Sequence, residues 1–136
     1  MKGQRPKDYS EYLFYRYKAN GRGEDGYVDC YGLFLLIEKE VFGRELPDVK
    51  GYKCQDRKEL NRELSRSLIE YPARRIEEAV EGCGVIMECE GVDSHIGVYI
   101  GEGKVIHACE KRNVVIESVE ERHIKGKVKY YEIVCV

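Results

Sequence analysis

The stretch Gly26–Phe42, GYVDCYGLFLLIEKEVF, decides how the rest of the chain is read. After Asp29 the apolar positions Leu33, Phe34, Ile37 and Val41 recur at intervals of three and four, the spacing of one buried helical face. Asp29 is the expected N-cap, because its carboxylate can accept from the otherwise unpaired amides of the first turn. Cys30 then stands in that first turn, among those amides and at the positive end of the helix dipole. Such a setting favours thiolate over thiol. A helix that begins this way presents a nucleophile, provided the fold brings a histidine beside it.

Upstream, Asn20-Gly21-Arg22-Gly23-Glu24-Asp25-Gly26 reads as a loop, since its glycines break any regular element. Before it, Asp8–Lys18 carries Tyr9, Tyr12, Leu13, Tyr15, Arg16 and Tyr17 and reads as an aromatic-rich helix capped by Asp8. Downstream, Gly43 suits the helix C-cap, and Glu45-Leu46-Pro47-Asp48 opens an irregular connection through Gly51. Arg57–Tyr71 places Leu60, Leu64 and Leu68 on one helical stripe, Pro72 interrupts it, and Arg74–Val80 looks helical again. After Gly82-Cys83-Gly84 the pattern turns to strands: Val85–Met87, His95–Ile100, Val105–Ala108, Val114–Ile116 and Lys129–Val134. Gly101–Lys104 is a tight turn that makes a hairpin of the second and third. Helices first and about five antiparallel strands second give an α+β fold, and 136 residues suffice for one domain, 1–136, with one two-layer core.

Composition narrows the function. The net charge of -2 and pI of about 6.0 present no basic face for nucleic acid, and the charged residues, 35% of the chain, are mixed in sign. No run approaches the ~18 apolar residues of a membrane span, and MKGQRPKDYSEY lacks the apolar core of a signal peptide. Synthesis in the cytoplasm is therefore expected, with the six cysteines (30, 54, 83, 89, 109, 135) reduced. No Cys-x-x-Cys spacing points to zinc, and no motif calls for a cofactor. His123, among Glu120, Glu121 and Arg122, reads as a solvated loop residue.

A cysteine at a helix start with histidines far along the chain is the sequence form of a Cys–His nucleophile pair. His95 opens one strand of the hairpin and His107 lies on its partner, close enough in principle for one ring to orient the other. Alone, a helical cysteine is more often a small buried hydrophobe, so the weight rests on the three residues together.

Those residues carry a resemblance. Asp29-Cys30-Tyr31-Gly32-Leu33 resembles the nucleophile motif of the NlpC-type cysteine peptidases, a papain-like family of cell-wall hydrolases whose usual form is Asp-Cys-Ser-Gly-Leu. Tyr31 in place of Ser is a variation of phage-tail members, and Glu45-Leu46-Pro47-Asp48 is similar to another stretch of that branch. Ser94–Gly101 resembles the second motif, His-Val-Gly-Ile-Tyr, and Val105–Ala108 the third, which carries the residue that orients the catalytic histidine. Tyr17–Gly26 is similar to the family's Tyr-x-x-Gly-Gly stretch, with Asn20 where the first glycine would be; Gly82-Cys83-Gly84-Val85 stands where Gly-Asp-Leu or Gly-Asp-Val is usual.

The resemblance covers roughly residues 9–134 and implies a papain-like fold with catalytic Cys30, His95 and His107. Tyr17, Asp29 and Ser94 are the implied substrate or oxyanion residues, Asp29 as a contact for a substrate amine. The implied activity is hydrolysis of amide bonds in peptidoglycan stem peptides, with phage-tail proteins as partners and the virion as vehicle. Two other readings stand beside it: a tail assembly component without hydrolysis, and a papain-like amidase or acyltransferase on another amide or a lipid.

Overall fold

In the computed structural model, residues 8–46, 73–89, 92–121 and 128–133 are described. The expected Arg57–Tyr71 helix, Pro47–Gly51, Pro72, His123, Cys54 and Cys135 lie outside them, as do the side chains of Cys89 and Ser94.

The helix at the centre of the sequence is the centre of the fold. Helix α1 runs Cys30–Phe42, with Asp29 as its N-cap: the Asp29 carboxylate accepts from the Gly32 amide at 2.7 Å. Gly43, at φ 69°, closes the other end in the left-handed region, and the Arg44 amide reaches back to the Glu38 carbonyl at 2.9 Å. Leu33, Phe34 and Ile37 are buried as their spacing requires, and Tyr31 and Glu38 are buried with them.

Ahead of α1 the expected helix is cut short. Asp8 does cap, accepting from the Ser10 amide, but the turn it starts is a 3-10 helix, Tyr9–Phe14. The chain then extends into strand β1, Arg16–Tyr17, which pairs in parallel with β2, Tyr27–Val28. Tyrosines have modest helix propensity, and here two tertiary bonds outbid it. The Tyr12 hydroxyl donates to Glu40 of α1 at 2.8 Å, and the Tyr17 amide donates to the side-chain oxygen of Asn113 at 2.8 Å.

The sheet has six strands, not about five, in the order β3-β8-β4-β5-β6-β7. They are β3 Ala73–Ile76, β4 Gly84–Cys89, β5 Val92–Gly101, β6 Lys104–Cys109, β7 Asn113–Ser118 and β8 Val128–Ile133, all paired antiparallel. The additional strand is β3, in the stretch read as helical from Arg74 to Val80. So short a segment cannot sustain a helix unaided, whereas the open edge of β8 satisfies its backbone, and the exposed Arg74 and Arg75 guard that edge. Ile86, Ile96, Val98, Ile106, Ala108, Val114 and Ile133 meet the α1 face in one core. A smaller cluster of Val85, Met87 and Val105 closes the other side of the sheet. Helix α1 lies against β5 and β6, the strands that carry the two histidines. Among the described residues no helix is long and apolar enough to cross a membrane.

Candidate active site

The N-terminal turn of α1 is built around a buried ion pair. Asp29 is fully buried; Oδ1 accepts from the Gly32 amide and from Arg22 Nη1 at 3.0 Å, and Oδ2 accepts from the Asn20 amide at 2.8 Å. Arg22 also donates to the Gly21 carbonyl and lies over the Tyr31 ring, 5.7 Å from its centroid. Tyr31 itself stacks on Phe34 in the core. The carboxylate thus faces the loop and the helix start, away from solvent. Asn20, where the resemblance would place a glycine, adopts φ 64°, a left-handed conformation that asparagine tolerates. Gly32 is demanded by closeness: a Cβ there would stand 1.9 Å from the Gly21 carbonyl oxygen. Cys30 begins the helix this frame positions, and at 3% exposure it lies deeper than a surface thiol.

The hairpin supplies the histidines. In the β5–β6 ladder Val98 faces Ile106, which brings Gly97 beside His107. A Cβ on Gly97 would meet the Ile106 carbonyl and Val105 at 2.8 Å and His107 Cβ at 3.0 Å, so the strands draw together there because the side chain is missing. Two residues along the same face, His95 leans into that gap. Its Nε2 lies 2.8 Å from His107 Nδ1, with the rings edge to face at 86° and 4.9 Å between centroids. A break in the β4–β5 register just after Met87, the residue paired with His95, marks the same spot. With Nε2 engaged by His107, Nδ1 is the His95 nitrogen on the opposite side of the ring. His107 is buried, while His95 is half-buried.

Behind His107 stand residues that sequence reasoning missed. His107 Nε2 lies 2.7 Å from Glu117 Oε1, and Arg112 grips both oxygens of that carboxylate, Nη1 to Oε2 at 3.1 Å and Nη2 to Oε1 at 3.2 Å. Burial works against the Glu117 charge, but the hydrogen bonds and charges of Arg112 and His107 outweigh it and hold the carboxyl at about 2. Pairing of His107 with Val115 places Glu117, two residues on, diagonally across the same face. Counting that register outward from the β6–β7 turn is the signal that could have found it. Asn113 at the same turn was also missed; its side chain ties β1, and with it Tyr17, to the sheet. Tyr17 is half-buried and pairs with Val28, two residues before Cys30. Ser94 lies in the backbone of β5 next to His95.

Of the other thiols, burial pushes Cys83 and Cys109 above the ordinary thiol range, so neither is activated by its surroundings.

The structure thus sets one imidazole against a second on the two strands that pack against the helix Cys30 begins. The model of the NlpC/P60 family matches residues 14–131. Over 119 residues the chain is 27% identical to the murein DD-endopeptidase MepS/murein LD-carboxypeptidase of Escherichia coli K12, covering 88% of this chain and 55% of that protein. It is 29% identical over 115 residues to a probable endopeptidase NlpC homolog of Haemophilus influenzae, covering 85% and 53%. The chain thus spans about half the length of the curated relatives it matches. Among solved structures, the NlpC/p60 domain of the peptidoglycan hydrolase SagA superposes with a TM-score of 0.58 at 18% identity, covering 89% of this chain and 90% of that one.

Proposed function

The chain belongs to the NlpC/P60 family, and from that premise we propose that it is a thiol hydrolase that cuts amide bonds in the peptide part of peptidoglycan. The observation that carries the proposal is the 2.8 Å contact between His95 Nε2 and His107 Nδ1 on the strands packed against the helix that Cys30 begins. In the reaction His95 takes the Cys30 proton, and the sulfur attacks the amide carbonyl. Backbone amides at the helix start, with the Tyr17 hydroxyl as their companion, receive the developing oxyanion. His95 then protonates the departing amine, leaving a thioester on Cys30. Water, deprotonated by His95, hydrolyses the thioester and restores the thiol. His107 keeps the imidazole oriented throughout.

Purified protein incubated with muropeptides should generate fragments carrying new amine and carboxyl ends, read by mass spectrometry. Cys30→Ala should generate none while retaining the wild-type circular dichroism spectrum, because the change removes one buried sulfur and keeps the helix cap. Undiminished cleavage by Cys30→Ala removes the nucleophile assignment. Delivery on a phage tail belongs to the same proposal, supported by the resemblance of Tyr31 and of Glu45-Leu46-Pro47-Asp48 to phage-tail members; detecting the chain in purified virions tests it.

A further inference from the structure

We propose that Glu117 is a positioning residue of this site: by accepting a proton-bearing Nε2 from His107, it fixes the tautomer of both histidines in the form that leaves His95 able to take the Cys30 proton. The inference rests on the hydrolytic reading above and adds a group one step further from the sulfur.

Between His95 Nε2 and His107 Nδ1, 2.8 Å apart, one hydrogen serves as the donor. If His107 supplies it, a neutral His95 must carry its own proton on Nδ1, and that nitrogen cannot accept one from the thiol. If His95 supplies it, Nδ1 holds a lone pair and can act as base. Geometry between the two rings does not choose between these cases. Glu117 chooses. An ionised carboxylate only accepts, so the 2.7 Å contact to His107 Nε2 requires the hydrogen there. A neutral His107 then has its lone pair on Nδ1 and must accept from His95. The same arrangement suits the next state, in which the protonated His95 donates from Nε2 to an acceptor already facing it.

Two further observations bear on this. The Glu117 side chain is only 10% exposed, and Arg112 binds both of its oxygens, which keeps the carboxylate ionised and its direction fixed. The chain of contacts runs Arg112, Glu117, His107, His95, and its last three members come from three adjacent strands, β7, β6 and β5.

The test combines kinetics with a signal that needs no turnover. In Glu117→Gln the amide oxygen can stay where Oε1 now accepts from both His107 and Arg112, so the donor requirement survives. In Glu117→Ala it is lost. With muropeptides as substrate, Glu117→Ala should lower kcat by roughly 10–100-fold, the size of loss when a partner that orients a metal-bound histidine is removed, with KM little changed. Glu117→Gln should restore most of that rate. In the 15N-histidine spectrum of the full chain, wild type and Glu117→Gln should show His107 protonated at Nε2 alone, and Glu117→Ala a mixture of tautomers. The proposal is overturned by a wild-type spectrum with His107 protonated at Nδ1, by wild-type kcat in Glu117→Ala, or by equal losses in both variants with the tautomer unchanged. Because the spectrum requires no substrate, it decides the point even if wild type cleaves no muropeptide or Glu117→Ala fails to fold.

Discussion

At the scale of single residues, the site is a set of buried polar groups whose partners leave little freedom. His107 donates to and accepts from fixed neighbours, so its substitutions separate orientation from charge. His107→Ala removes the acceptor for His95 and should lower kcat on the order of 10²-fold or more, the size of a general-base contribution. His107→Asn still presents a carbonyl oxygen and should stay within about 10-fold of wild type; its rate should keep the thiol-linked rise with pH, because Cys30 and His95 remain. Steady-state kinetics on one muropeptide checks both, and full activity in His107→Ala would show that the second ring is incidental. Cys30 and Asp29 were legible in the sequence from the period and cap of their helix, and His95 and His107 from the strand hairpin together with the motifs they resemble. Glu117, Arg112 and Arg22 were not. Glutamate and arginine are the commonest surface residues, and nothing in their local spacing distinguishes one gripping a buried histidine from one facing water.

At the scale of elements, the β5–β6 hairpin and the helix start share one device, a backbone approach that only glycine permits. Gly97→Ala forces a methyl against the Ile106 carbonyl, Val105 and His107 Cβ, so the strands must part where the two rings meet. The expected result is about 1–3 kcal/mol of lost stability in chemical denaturation, as for an overpacked core. A fall in kcat larger than that in folded fraction should accompany it, since the 2.8 Å ring contact opens. Unchanged kcat would mean that the histidine spacing tolerates strand movement. The hairpin itself was readable from its alternation and its glycine turn, and α1 from its spacing and caps. Tyr15–Tyr17 and Ala73–Ile76 were not, because both take the conformation of a partner elsewhere in the chain: β2 and Asn113 in one case, the edge of β8 in the other. Local propensity is weakest where a short segment completes another segment's hydrogen bonds.

At the scale of the molecule, two carboxylates, the buried Glu38 and the partly buried Glu117, make stability depend on pH in opposite senses. Glu38 on α1 is fully buried, and its Oε1 accepts from Arg44, which also donates to the Gly82 carbonyl and so ties the helix end to the start of β4. Burial raises the Glu38 carboxyl to about 7, with Arg44 opposing the rise. The unfolded chain releases that proton near 4.5, so between 4.5 and 7 the folded state binds more protons and stability falls as pH rises. At ~1.4 kcal/mol per pH unit the loss is about 3 kcal/mol, and Glu38→Gln should flatten it in urea unfolding followed from pH 5 to 8. A wild-type curve already flat over that range would refute the burial argument. Glu117, held at about 2, acts the other way: its contribution is full above about 4.5 and disappears as pH falls toward 2. Hydrolysis by this mechanism passes through a covalent step at Cys30, and that step can be seen. Wild-type protein mixed with muropeptide, quenched in acid within the first turnovers and digested, should yield the Cys30 peptide carrying the mass of the acyl fragment. Turnover with the acyl mass on any other residue, or on none while Cys30→Ala still cleaves, would contradict it.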